Sequence, residues 1–131
     1  MRKHYKILVV EDEPAIRLAL ADHLDKEGFE VLEADSGERA IELIKKSNVD
    51  LIVTDIQMPG WHDGIGLALW VRENHPHIKL IIVSGATDES SSLLPLGAEG
   101  TIYTKPYSVE EIGLRAEALL HETRHKPVNS R

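Results

Sequence analysis

Short apolar runs recur along the chain and are separated by longer segments whose apolar residues have helical spacing. The runs cover residues 5–10, 29–34, 51–54, 80–83 and 101–104. The first, third and fourth runs are nearly continuous Leu, Ile and Val, which is typical of strands buried on both faces of a parallel sheet. The pattern therefore predicts five strands that alternate with helices.

The segments between the runs carry the start and stop signals of helices. Pro14 can occupy the first position of the first helix, which Gly28 ends. Ser36 can cap the second helix, and the third helix covers about residues 65–74. The last helix begins with a capping box at residues 108–111. This alternation predicts right-handed crossovers, with helices on both faces of a parallel sheet.

The segment between the fourth and fifth runs is the exception. Ser90, Ser91 and Ser92 have modest helix propensity, and Pro95 falls where the interior of a helix would lie. We therefore expect a short or distorted fourth helix between residues 88 and 96.

Length and composition limit the class of protein. The 131 residues fit one domain, expected over residues 1–122, and the polar residues 123–131 are expected to form a frayed tail. No apolar run approaches the roughly 18 residues of a membrane span. No secretory signal is evident, so a cytoplasmic location is expected. The lack of cysteine excludes disulfides and thiolate sites. The net charge of −7 argues against broad DNA binding, which needs a basic face.

Polar residues gather where the predicted strands end. Glu11 and Asp12 follow the first strand, Asp55 ends the third, Ser84 ends the fourth, and Lys105 follows the fifth. Ligands of open α/β sheets bind beyond the carboxyl ends of the strands, so we expect these groups to meet. Three carboxylates repel one another, and a divalent cation with oxygen ligands, such as Mg²⁺, relieves this repulsion. A carboxylate can also attack phosphorus, while an ammonium and a hydroxyl group stabilise the phosphoryl oxygens.

Four motifs occur in order along the chain: VVEDEP at residues 9–14, DIQMPG at 55–60, VSGA at 83–86 and TKPY at 104–107. With these motifs the chain resembles the receiver domain of two-component response regulators over residues 6–122. The resemblance implies an α/β, flavodoxin-like (βα)5 fold, a three-layer sandwich whose five-stranded parallel sheet has the order 2-1-3-4-5. It also implies a stand-alone signalling domain rather than an enzyme, one that catalyses only its own phosphorylation and dephosphorylation.

The resemblance assigns the acidic residues to phosphoryl and metal chemistry. Asp55 is the expected phosphoacceptor. Glu11, Asp12 and Asp55 are expected to hold Mg²⁺ or Mn²⁺, with Asp12 a direct ligand. The backbone carbonyl of Gln57 would complete the protein's share of the metal shell.

The resemblance also places the phosphate-binding and switch residues. Ser84 matches the switch hydroxyl, and Lys105, followed by Pro106, matches the phosphate-binding lysine. The family's switch aromatic lies three residues before this lysine, where the present chain has Ile102, while Tyr103 comes one place later. Either a local bulge brings Tyr103 to the inward position, or the switch lacks its aromatic, because a slip of one residue moves a strand side chain to the other face.

The resemblance implies protein partners on both sides of the reaction. The phosphoryl donor would be a histidine kinase or a histidine phosphotransfer protein, and acetyl phosphate is a conceivable small donor. Phosphorylation would switch the face made by the fourth helix, fifth strand and fifth helix, and so control an unidentified protein target. No direct contact with nucleic acid or membrane is expected. A monomer, or a weak dimer that depends on phosphorylation, is expected.

Two other functions stay open for this set of residues. Mg²⁺-dependent phosphohydrolases with an aspartyl nucleophile usually place a second aspartate two residues after the nucleophile, where this chain has Gln57. A flavodoxin-like binder of a nucleotide or flavin would have a Gly-rich loop after the first strand, where this chain has Glu11 and Asp12.

Overall fold

Strands and helices alternate along the chain. The structure is a computed structural model that describes residues 5–56, 64–84, 100–104 and 106–125. Its elements are β1 (Lys6–Val10), α1 (Pro14–Lys26), β2 (Glu30–Ala34), α2 (Gly37–Lys46), β3 (Leu51–Asp55), α3 (Gly64–Asn74), β4 (Lys79–Ser84), β5 (Gly100–Thr104) and α4 (Val109–His125). The helix α4 is therefore the last helix predicted from the sequence, and the short helix predicted between residues 88 and 96 lies outside the described residues.

The five strands form one parallel sheet in the order β2-β1-β3-β4-β5. This confirms the predicted flavodoxin-like fold and its strand order. β1, β3 and β4 lie inside the sheet, which explains why their runs are almost purely aliphatic: a strand with neighbours on both sides and helices on both faces has no edge or face exposed to water.

Alternating side chains of the strands supply two separate hydrophobic layers. One layer packs against α2 and α3 and includes Leu8, Ile52 and Ile82. The other layer packs against α1 and α4 and includes Val53 and Ile81. Since successive strand residues point to opposite faces, the same strands fill both layers, and the result is the expected three-layer sandwich.

The helix ends follow the local signals in the sequence. Pro14 opens α1, and Gly28, just beyond its end, has a positive φ of 103°, which glycine adopts without a steric penalty. The hydroxyl oxygen of Ser36 accepts a hydrogen bond of 3.1 Å from the N–H of Arg39 and so caps α2. α4 continues to His125, so residues 123–125, which the sequence analysis assigned to the tail, are helical.

The start of α4 realises half of the predicted capping box. The hydroxyl oxygen of Ser108 accepts a hydrogen bond of 3.2 Å from the N–H of Glu111. The hydroxyl group itself donates a hydrogen bond to the carboxylate of the neighbouring Glu110 at 2.8 Å. No helix within the described ranges combines the length and the apolar character that a membrane crossing requires.

Candidate functional site

Three carboxylates meet at the carboxyl edge of the sheet. Glu11 and Asp12 follow β1, and Asp55 is the last residue of the neighbouring strand β3. One carboxylate oxygen from each residue lies within 4.8 Å of the other two. Glu11 and Asp55 are 4 % and 3 % exposed, whereas Asp12 is exposed to solvent. The structure thus brings together the three acids that the sequence placed at adjacent strand ends.

The sheet register explains this convergence. β1 and β3 pair in parallel, with Val10 opposite Thr54, so the residues that follow each of them emerge at the same level. The ladder with β4 continues past Asp55, because the N–H of Ile56 donates to the carbonyl of Val83 at 3.1 Å. The backbone on both sides of Asp55 is therefore fixed by neighbouring strands.

Hydrogen bonds at both the backbone and the side chain of Glu11 fix its position. Its N–H donates to the carbonyl of Ala34, the last residue of β2, at 3.0 Å. Its carboxylate accepts a hydrogen bond of 3.2 Å from the N–H of Glu13. These two bonds hold the two ends of the turn between β1 and α1, on either side of Asp12.

The three carboxylates fit a hard divalent cation. Oxygens bound to an octahedral Mg²⁺ lie about 3 Å apart when adjacent and about 4.2 Å apart when opposite, so three oxygens within 4.8 Å of one another must draw together by up to about 2 Å to share one ion. Within the described ranges, this is the only group of three or more acidic or histidine side chains that is close enough to share a metal ion. The donors are all oxygens, which favours Mg²⁺ or Mn²⁺ over softer metals, and Asp12 is exposed to solvent.

Ser84 lies at the same edge, one strand further along the sheet. It ends β4 and is only 2 % exposed. Asp55 pairs with Val83, so Ser84 stands one residue beyond the acceptor's level. Leu80 and Ile82 pack on the α2 and α3 side, and alternation along β4 places Ser84 on that side as well.

The two candidates for the switch position, Ile102 and Tyr103, lie on opposite faces of β5. Its residues pair one to one with those of β4, from Leu80 opposite Gly100 to Ser84 opposite Thr104, so the described strand contains no bulge. Ile102 packs against the layer of α2 and α3, and Tyr103 packs against the opposite layer. Ile102 therefore shares the face of Ser84, because an uninterrupted ladder keeps the alternation of side chains in step.

Of the three other residues proposed for the site, the structure describes only Pro106. Gln57 and Lys105 lie outside the described residues. Pro106, at the start of the loop before α4, is exposed.

Sequence analysis missed Arg17 as a contributor to this edge. Its guanidinium Nη1 donates to the backbone carbonyl of Glu11 at 2.9 Å, and its Nε donates to the carboxylate of Glu33 at 3.1 Å. The available signal was a cation one helical turn after Glu13, directly behind the acidic pair. From sequence alone, Arg17 could equally be a solvated residue on the surface of the helix. Its two partners, a backbone carbonyl and a glutamate on β2, do not follow from helical spacing.

Comparison with known proteins identifies the family. A family model described as the response regulator receiver domain matches residues 7–117. The transcriptional regulatory protein SrrA of Staphylococcus aureus (strain NCTC 8325 / PS 47) is 36 % identical over 125 residues, which cover 94 % of this chain and 51 % of SrrA. The sensor kinase CckA of Brucella abortus (strain 2308) is 36 % identical over 119 residues, which cover 88 % of this chain and 12 % of CckA. The chain thus spans about half or less of these curated relatives.

A solved structure gives the same assignment. The response regulator protein TrrA from Thermotoga maritima, in complex with Mg²⁺-BeF, matches with a TM-score of 0.78 and 32 % identity, covering 88 % of this chain and 98 % of that chain. The family model spans most of the sequence and includes the three acids of the acidic edge. The chain belongs to the family of response regulator receiver domains.

Proposed function

We propose that this chain is a phosphorylation-controlled signalling domain in which Asp55 takes the phosphoryl group. Receiver domains bind Mg²⁺ through an acidic pocket, and TrrA was solved with Mg²⁺-BeF. In this chain Glu11, Asp12 and Asp55, with the backbone carbonyl of Gln57, would hold Mg²⁺ or Mn²⁺. The observation that carries the proposal is the convergence of the three carboxylates within 4.8 Å, with Asp55 buried at a strand end.

The proposed reaction is a transfer to a carboxylate oxygen. An oxygen of Asp55 forms the bond to phosphorus while the bond from phosphorus to the donor's imidazole nitrogen breaks; the nitrogen keeps the electron pair and takes a proton from water. A bound cation would offset the negative charge of the phosphoryl oxygens on one side. Lys105 would offset it on another side, and the hydroxyl group of Ser84 would donate to a third oxygen. The burial of Asp55 limits the access of water to its acyl phosphate.

The proposed switch starts from Ser84 and passes to Ile102. When Ser84 donates to the phosphoryl oxygen, it moves away from its place at the end of β4. Ile102 lies on the same face of the adjacent strand, so we assign it to the position that an aromatic fills elsewhere in the family. Tyr103 packs on the opposite face and is assigned to the core. The surface altered by this repacking would include β5, α4 and the segment before β5.

The proposed partners are proteins. A histidine kinase or a histidine phosphotransfer protein would donate the phosphoryl group, in keeping with a sensor kinase among the relatives. The output would be contact with a protein target through the altered surface, without direct binding to nucleic acid. A monomer, or a weak dimer formed on phosphorylation, suits this role.

Phosphorylation by a small donor tests the proposal directly. Incubation with Mg²⁺ and acetyl phosphate is expected to add the mass of one phosphoryl group, stable in acid and lost in base. Asp55→Asn is expected to abolish the gain, because an amide is too weak a nucleophile. Asp50→Asn is the matched control: Asp50 directly precedes the same strand, where its carboxylate accepts a hydrogen bond from the N–H of Lys6 at 2.8 Å.

The result that defeats the proposal is the absence of a mass gain, or a gain that Asp55→Asn leaves unchanged. Repeated turnover of an added phosphate ester would instead favour the phosphohydrolase alternative. Chelation of the metal ion before the reaction is expected to prevent the mass gain, and full phosphorylation without metal would contradict the assigned role of the acidic pocket.

A further inference from the structure

The Arg17 side chain of α1 contacts the turn between β1 and α1. We propose that Arg17 is a positioning residue for the metal pocket: it fixes the peptide that joins Glu11 to Asp12, and so sets the spacing of the carboxylates before a metal ion binds. The inference rests on the proposed function in one respect, namely that this pocket takes Mg²⁺.

Hydrogen bonds act on three groups of this turn, and that of Arg17 acts on the carbonyl oxygen of Glu11. The N–H of Glu11 is held by Ala34, and the carboxylate of Glu11 accepts from the N–H of Glu13. The carbonyl oxygen of Glu11 accepts from Nη1 of Arg17 at 2.9 Å. Because a peptide unit is planar, fixing this oxygen also fixes the direction of the N–H of Asp12, and with it the start of the side chain that would bind the metal directly.

The second contact of Arg17 directs its charge away from the carboxylates. Nε donates to the carboxylate of Glu33 on β2 at 3.1 Å, and the Arg17 side chain is only 18 % exposed. The guanidinium thus pairs with an acid outside the pocket and touches the pocket through a neutral carbonyl. A cation placed directly on the pocket's carboxylates would compete with Mg²⁺, whereas this arrangement leaves those oxygens available. Lysine cannot reproduce it, since an ammonium lacks the planar fork that reaches both partners.

The start of α1 needs such a tether because it lacks a local cap. The residue at its N-cap, Glu13, makes no side-chain capping bond. α2 and α4 are each capped by a serine hydroxyl. The two residues before this N-cap, Glu11 and Asp12, are proposed metal ligands, so the contact that orders this turn comes from within the helix.

Mg²⁺ affinity separates a positioning role from a purely electrostatic one by the sign of the change. Removing a positive charge near the pocket should strengthen Mg²⁺ binding if charge alone matters. Loss of positioning should weaken it instead, and partners that orient metal ligands typically contribute 10- to 100-fold in affinity. Calorimetric titration with Mg²⁺ is therefore expected to show about tenfold weaker binding for Arg17→Ala and a partial loss for Arg17→Lys, which retains the charge.

A metal-free measurement gives an independent readout. Amide hydrogen exchange in the protein without Mg²⁺ is expected to accelerate at Asp12 and Glu13 in Arg17→Ala, while amides in the middle of β1 and β3 keep their protection. The matched control is Arg39→Ala, which removes an exposed arginine that pairs with Glu42 at 2.9 Å on α2. It is expected to change neither the exchange of the turn nor the affinity for Mg²⁺.

The outcomes distinguish this inference from the function on which it rests. If the unmodified protein does not bind Mg²⁺, the proposed function fails. If it binds Mg²⁺ and Arg17→Ala binds it equally well or more tightly, the positioning role is wrong. The same holds if Arg17→Ala only lowers the midpoint of thermal unfolding, with the affinity and the exchange of the turn unchanged, because Arg17 would then merely attach α1 to β2.

Discussion

The middles of the central strands and their carboxyl ends are buried to the same degree but differ in chemistry. Leu8, Ile52 and Ile81 are fully buried among other aliphatic side chains. Only a few residues further along the same strands, Glu11, Asp55 and Ser84 are almost equally buried and are polar or acidic. Burial of apolar groups stabilises the fold, whereas burial of a carboxylate costs free energy unless hydrogen bonds or a counter-charge offset it.

This difference indicates that the residues that stabilise the fold lie in the middle of each strand, whereas the residues suited to chemistry lie at its carboxyl end. A strand rises about 3.3 Å per residue, so the buried acids lie only roughly 10 Å from the centre of the core. Continuous neighbouring strands and the turn before α1 fix the backbone that carries these acids. Substitutions in the strand middles should therefore change stability and leave the chemistry intact, and substitutions at the ends should do the reverse.

The largest expected effect comes from emptying part of the core at the middle of β3. Ile52→Ala is expected to lower the free energy of unfolding by about 2–5 kcal/mol, since Ile52 is fully buried and its loss leaves a cavity. Denaturant unfolding measures this change. Leu69→Ala, at an exposed position on α3, is the control and should change the free energy by less than about 0.5 kcal/mol.

The same variant tests the separation itself. Under conditions in which Ile52→Ala is folded, its phosphorylation by acetyl phosphate should reach the same extent as that of the unmodified protein. A loss of phosphorylation in the folded variant would show that the strand middle and the strand end are not independent.

The second effect is the rise in the free energy of unfolding when Mg²⁺ binds at the strand ends. A ligand that binds only the folded state at ten times its dissociation constant adds about 1.4 kcal/mol to the free energy of unfolding. Mg²⁺ is expected to raise the unfolding midpoint accordingly. Asp12→Asn should lose most of this increase, because it removes one of the three converging carboxylates at an exposed position where the fold tolerates change.

Sodium chloride at the same ionic strength controls for general screening, and it should not reproduce the stabilisation. An equal gain from Mg²⁺ in Asp12→Asn and in the unmodified protein would remove Asp12 from the metal site.

Much of the fold and part of the site could be predicted from the sequence because both depend on local pattern. Aliphatic runs marked the inner strands, and parallel pairing forces their carboxyl ends to one edge, which is why Glu11, Asp12 and Asp55 could be grouped in advance. Ser36 and Ser108 were predicted as caps because a hydroxyl group bonds to an amide only three residues away.

The remaining features depend on distances that no local pattern specifies. Arg17 reaches a backbone carbonyl six residues before it and a glutamate on another strand, and neither partner follows from helical spacing. The face of Ile102 depends on the register of β5 against β4, which the sequence pattern does not specify. The partner of the Ser108 hydroxyl depended on a choice between two adjacent glutamates.

The smallest effect concerns Ser108, a polar residue that follows β5 and caps α4. Ser108→Ala is expected to lower the free energy of unfolding by about 1 kcal/mol through loss of the cap on α4. It should leave Mg²⁺ binding unchanged.

The hydrogen bond from Ser108 is the main cause that lowers the pKa of Glu110 below its ordinary 4.5, with a backbone hydrogen bond and the charge of His23 also lowering it. The variant should therefore raise the pKa of Glu110, which NMR titration of the side-chain carbonyl measures.

The sign of the pH dependence completes this test. A carboxyl group whose pKa is lowered by folding stabilises the folded state above its unfolded pKa, and this contribution is lost as the pH falls through the folded value. The difference in stability between the unmodified protein and Ser108→Ala should therefore be larger at pH 7 than below the folded pKa of Glu110. Glu110→Gln provides the matched background, since it keeps the Ser108 cap and removes the titrating carboxylate. In that background the effect of Ser108→Ala should be the same at both pH values, and an unchanged pH dependence there would show that the bond between Ser108 and Glu110 contributes nothing of its own.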